Sequence, residues 1–169
     1  MKSSISIKIL LFSCLLILLE SCSIGFKGTS IPVDVKKFVV ATVTDNSFNA
    51  PANYPNEFQI ALTNKIRRES KLILDDKNPD VTFQCNIATF NVSSQAPVSG
   101  ATSALNRLEI AIKVDAIYAN DETKNWSRTF SRFTEFAAES NFSTVENQLT
   151  TALNKLLTED IFIASFSNW

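Results

Sequence analysis

No histidine occurs anywhere in the 169 residues. Its absence removes the commonest general base, the Ser-His-Asp triad and most zinc sites together. Only three glycines are present, and two of them, Gly25 and Gly28, sit in one short segment, so no glycine-rich phosphate loop can be assembled. An excess of charge of one sign is also missing. The 16 basic residues face 17 acidic ones, which leaves nothing global to attract a nucleic acid or an acidic membrane face. These absences predict a protein that is no enzyme, binds no metal or cofactor and has no nucleic-acid partner.

What is present begins at the N-terminus. Lys2 and Lys8 precede an apolar run from Ile9 to Leu19, which stops at Glu20, Ser21 and Cys22. That is the layout of a secretory signal. At about 1.5 Å per residue the run reaches roughly 16 Å, far short of the roughly 30 Å hydrocarbon core of a bilayer. Leu19-Glu20-Ser21-Cys22 resembles the lipobox of bacterial lipoprotein precursors, although Glu20 is more polar than the common pattern. The competing reading is an ordinary signal peptide with a chance cysteine beside its cleavage site. Lipidation is the expectation: cleavage before Cys22, a diacylglycerol thioether on that cysteine and an amide-linked palmitate-type chain on its new amino group. Two acyl chains already suffice for stable anchoring. Cleavage would leave 14 basic and 16 acidic residues. With Cys14 removed and Cys22 occupied, Cys85 has no disulfide partner.

The expected division is a signal peptide over 1–21, a lipidated tether over 22–36 and a single domain over 37–169. Lys37 to Thr44 is apolar and β-branched, as expected of a first strand. Pro55 sits where a first helical turn tolerates it, and Phe58, Ala61, Leu62 and Ile66 follow at helical spacing, predicting an amphipathic helix of about four turns. Leu72 to Leu74 can begin a strand. Val81, Phe83, Cys85 and Ile87 alternate with Thr82, Gln84 and Asn86, a half-buried strand with Cys85 inward. Ser93 to Ser103 lacks charge and period and reads as a long loop. Even positions from Leu108 to Tyr118 are apolar, and a turn at Asn120-Asp121-Glu122 returns the chain through Trp126, Arg128, Phe130 and Arg132. Phe133 then breaks the parity, which predicts a bulge near Arg132. Ser143-Thr144-Val145-Glu146 has the form of a capping box opening a last helix, whose apolar residues continue through Phe162, Phe166 and Trp169. The order is β-α-β-β-β-α: an α+β two-layer sandwich in which two helices cover one face of a mixed four-stranded sheet.

Few constellations suggest chemistry. Asp75, Asp76 and Asp80 crowd one loop, but without the glycine and closing glutamate of a calcium loop they read as a solvated turn. Glu159-Asp160 reads as a solvated face, because no third group converges on it. Arg107, Arg128 and Arg132 fall on the two hairpin strands and are the candidate ligand-binding residues, suited to phosphates of a lipid headgroup. Cross-strand pairing with Glu109, Asp115 and Glu135 accounts for the basic residues here too. In the uncharged loop, Ser94, Gln95, Pro97 and Gly100 are the candidate partner contacts.

Taken in order, the lipobox, Cys22 to Pro32, Ala104-Leu105-Asn106-Arg107-Leu108, Phe130-Ser131-Arg132-Phe133, and Glu159-Asp160-Ile161-Phe162 with Ser167-Asn168-Trp169 resemble the LPS-assembly lipoprotein family LptE in its Bacteroidota form. The resemblance implies a lipid-anchored protein on the periplasmic side of the outer membrane. It would scaffold and plug the β-barrel LptD during lipopolysaccharide assembly in the outer leaflet, with lipopolysaccharide itself as a further contact. No acidic cluster follows Cys22 of the kind that resembles a surface-export signal. Two other functions stay open at this point: a stand-alone periplasmic lipid-binding lipoprotein, and an assembly (pilot) lipoprotein of another envelope machine.

Overall fold

The computed structural model describes residues 31–95 and 104–166. Along the chain run β1 (Lys37–Val40), β2 (Thr44–Asp45), α1 (Tyr54–Glu69), β3 (Ile73–Leu74), β4 (Val81–Gln95), β5 (Leu105–Tyr118), β6 (Trp126–Ala137) and α2 (Phe142–Phe166). A 3-10 turn at Glu122–Lys124 joins β5 to β6. The sheet order is β3-β1-β4-β5-β6, with β2 also pairing with β4. Pairs among β1, β2, β3 and β4 are parallel, and β4-β5-β6 is an antiparallel meander. The result is the expected α+β sandwich with a mixed open sheet, enlarged by the two-residue strands β2 and β3.

Burial follows the alternation in sequence. Phe38, Val81, Phe83, Ile87, Leu108, Ile110, Ile112 and Val114 lie on one face of the sheet and are buried under the helices. Phe58, Leu62 and Ile66 of α1 and Leu149, Leu153, Leu157 and Ile161 of α2 close that face. Each such side chain contributes on the order of 1.5–3 kcal/mol by leaving water. Among the described residues the other face carries no helix. Gln84, Asn91, Lys113, Ser127, Thr129 and Ser131 stand on it, exposed.

Four expectations differ from the structure. Lys37 to Thr44 is two strands, because four steps from Val40 to Thr44 face only three on β4, from Phe83 to Asn86; the extra residue breaks the ladder and turns Val43 into the core. The bulge near Arg132 is absent: β5 and β6 pair without a shift from Leu105↔Ala137 to Ala116↔Trp126, and the bulge lies in β4 instead, between Ile87 and Thr89. Ser93 to Gln95 are not loop but the end of β4, paired with Arg107 to Leu105. Finally, the last helix opens on Asn141 rather than a capping box. Its side-chain oxygen accepts from the Ser143 backbone N–H at 3.1 Å and from the Ser143 hydroxyl at 2.9 Å, and among the described residues Ser143 and Glu146 exchange neither of the two hydrogen bonds of a capping box.

The two helices run in the same direction across the sheet. Near the start of α1, the Tyr54 hydroxyl donates to Asn154 Oδ1 at 2.7 Å, and one helical stretch later Lys65 is bonded to Glu159. Lys65 also meets Glu69 at 2.7 Å and lies over the Phe162 ring. Burial pulls the Lys65 pKa down, but its hydrogen bonds to Glu159 and Glu69 outweigh this and raise it. These contacts give the molecule two ends. The base holds the start of β1, the end of α1 and the β5–β6 turn; the far end holds the end of β4, the start of β5 and the first turns of both helices.

Candidate functional site: the far end of the hairpin

β4 has 15 residues, so it spans roughly 45–50 Å and carries the hairpin from the base to the far end. Ser94, Gln95 and Arg107 come together there. Ser94 and Gln95 pair with Asn106 and Leu105, the Ser94 hydroxyl bonds to Asn106 Oδ1 at 3.1 Å, and the Gln95 amide donates to Ser93 Oγ at 3.1 Å. Pro97 and Gly100 lie outside the described residues.

Arg107 stands on the open face of the sheet. Its Nη2 donates to Glu135 Oε1 at 2.7 Å on the facing strand, and its guanidinium lies 4.1 Å from the centroid of the Phe133 ring. Its Nε is buried and has no hydrogen-bond partner among the described residues, a position that native structures seldom leave unfilled. The other two arginines do not join it. Arg132 faces Ile110, on the helix side of the sheet, and grips Asp160 of α2 through Nε and Nη2, both at 2.6 Å. This bidentate pair raises the Arg132 pKa, chiefly through the hydrogen bonds. Arg128 faces Val114 on that same side, exposed and in no ion pair among the described residues. The three arginines therefore form no single cationic site.

The two acidic clusters serve structural ends. Asp75 accepts from Lys37 Nζ at 2.7 Å and from the backbone of Lys77 and Asn78, and Asp80 accepts from the backbone of Lys36 and Lys37. Glu159 and Asp160 are the partners of Lys65 and Arg132. Among the described residues no group of three or more cysteine, aspartate or glutamate side chains is placed to hold a metal. Burial pushes the Cys85 thiol up to about 12, so it stays protonated.

Two features escaped the sequence reading. Phe133 is 55% exposed on the open face as the platform for Arg107. Its break in parity was the available signal, and it marked a residue facing the other way in a regular strand. Phe48 stands 90% exposed in a left-handed conformation (φ 58°), on a loop pinned where Asp45 accepts from Ser47. Nothing in its neighbouring residues signals that conformation, which is costly for a bulky side chain.

No family model and no curated protein matches the chain. Among solved structures, protein XCC0632 from Xanthomonas campestris, of the DUF330 family, has a TM-score of 0.57 at 13% identity, covering 82% of this chain and 90% of that one. At that identity the likeness speaks for the fold: an α+β domain with two helices on one face of an open mixed sheet. Looser likenesses include a minor lipoprotein from Acinetobacter baumannii (TM-score 0.47, 11% identity, 79% of this chain and 97% of that one). Rare lipoprotein B from Shewanella oneidensis is another (TM-score 0.43, 6% identity, 77% and 92%). Among the described residues no helix is long and apolar enough to cross a membrane.

Proposed function

We propose that this protein is an envelope lipoprotein, anchored through Cys22 on the periplasmic side of the outer membrane, which scaffolds and plugs the lipopolysaccharide-export barrel LptD. One observation carries the reading. The antiparallel β4-β5-β6 sheet is closed on one face by helices and presents the other as a long, predominantly polar wall, in which hydroxyl and amide side chains are interspersed with Arg107, Glu109, Lys113, Asp115 and Glu135 around the exposed Phe133. A wall of that chemistry suits the polar interior of a large β-barrel. The role assigned is mechanical and includes no chemical step.

A stand-alone lipid carrier would need an apolar cavity between sheet and helices. That space is occupied by Phe38, Phe58, Phe83, Leu153 and Phe166, all essentially without exposure. The barrel reading is therefore preferred. Tagged protein purified from outer membranes should bring down a large β-barrel, and its depletion should leave lipopolysaccharide at the inner membrane. Recovery as a free monomer, with lipopolysaccharide still reaching the surface of depleted cells, would remove the barrel reading.

A further inference from the structure

The base of the molecule combines exposed apolar side chains with basic ones. A shallow cleft of about 700 Å³ lies between the segment leading into β1 and the end of α1. On its rim Val33 is 94% exposed and Ile73, in the edge strand β3, is 65% exposed. Lys36, Arg68 and Lys71 stand around them, and none is in an ion pair among the described residues. Glu69, which also lines the cleft, is already held by Lys65. The rim is firmly placed: Val35 is buried, Ile31 packs on the core, and Asp34 meets Lys124 of the β5–β6 turn at 3.3 Å.

The described chain begins at this rim. Ile31 stands nine positions after Cys22, which limits the span between them to at most about 31 Å. We propose that the rim rests on the phospholipid leaflet that holds the Cys22 anchor, with Val33 and Ile73 entering the headgroup layer and Lys36, Arg68 and Lys71 meeting lipid phosphates. Apolar side chains ringed by cations are the composition that binds such an interface. The contact rests on the lipoprotein part of the proposed function alone. It describes the protein before any barrel is engaged.

The test uses the full acylated protein in barrel-free vesicles of phosphatidylethanolamine and phosphatidylglycerol. Val33→Cys carries an environment-sensitive fluorophore and Asn91→Cys, on the open face toward the far end, is the reference; with Cys22 acylated and Cys85 buried, only the introduced thiol takes the label. Spin-labelled phospholipid should quench the probe at position 33 several-fold more than that at 91. Lys36→Glu with Lys71→Glu should abolish most of the difference. Equal quenching at the two positions in an acylated, vesicle-bound protein would overturn the rim contact, and quenching indifferent to charge reversal would overturn its cationic part. An intact mass without acyl chains would instead overturn the lipoprotein reading.

Discussion

Asp75 shows how a single side chain can be structural where its sequence neighbourhood read as a solvated turn. The hydrogen bond from Lys37, joined by those from the Asn78 and Lys77 backbone, lowers its pKa from the ordinary 3.8 to about 2. A carboxylate depressed in the folded state contributes stability above its unfolded pKa, and that contribution is lost as pH falls through the folded value. The window is therefore pH 4 down to about 2. An NMR titration of the Asp75 carboxyl should show a midpoint near 2, and Lys37→Met should move it toward the ordinary value. An unchanged midpoint in that variant would show that the backbone donors alone hold the charge. The aspartates were legible as a polar turn, but not as the clasp between β1 and the loop before β4, because their partners lie more than 35 residues away.

At the scale of elements, periodicity identified what burial enforces. The alternation over Val81 to Ile87 and Leu108 to Tyr118 and the helical spacing of Phe58, Leu62 and Ile66 all appear as core-facing positions. Element ends were less legible, since several polar residues compete to satisfy the same few backbone groups. The start of α2 is the clearest instance: Asn141 and Ser143 are both good caps, and the three-dimensional arrangement favours Asn141. Replacing Asn141 with alanine should cost about 1 kcal/mol of unfolding free energy, and Ser143→Ala distinctly less. Denaturant unfolding of the two variants decides the order; a larger loss at Ser143 would restore the capping box. β3 falls where Leu72 to Leu74 can begin a strand, but its pairing and the division of the first strand into β1 and β2 were hard to read for a different reason. Their partners are parallel strands across a crossover, so no local pattern records the pairing. Likewise, the far-end cluster of Ser94, Gln95 and Arg107 depends on a hairpin register that runs to Gln95↔Leu105, eight residues beyond the alternation that ends at Ile87.

For the molecule as a whole, the decisive relation is between the core formed by the described residues and the anchor proposed at Cys22. Among the described residues, every buried residue of the core cluster comes from the elements of the domain, their connecting segments and the segment just before β1. Anchoring and folding should therefore separate cleanly. With Cys22→Ala, acylation is lost, and two or more acyl chains are what make membrane residence stable. The variant should leave the membrane fraction while its thermal unfolding midpoint, measured on the solubilised wild type alongside, stays the same. A lowered midpoint would mean that the tether packs on the domain, against the closed core. A variant that stays with the membranes at the wild-type level would show that a protein partner, and not the lipid, supplies the hold. That outcome would make the polar wall of β4-β5-β6, rather than the base, the surface that fixes this protein in place.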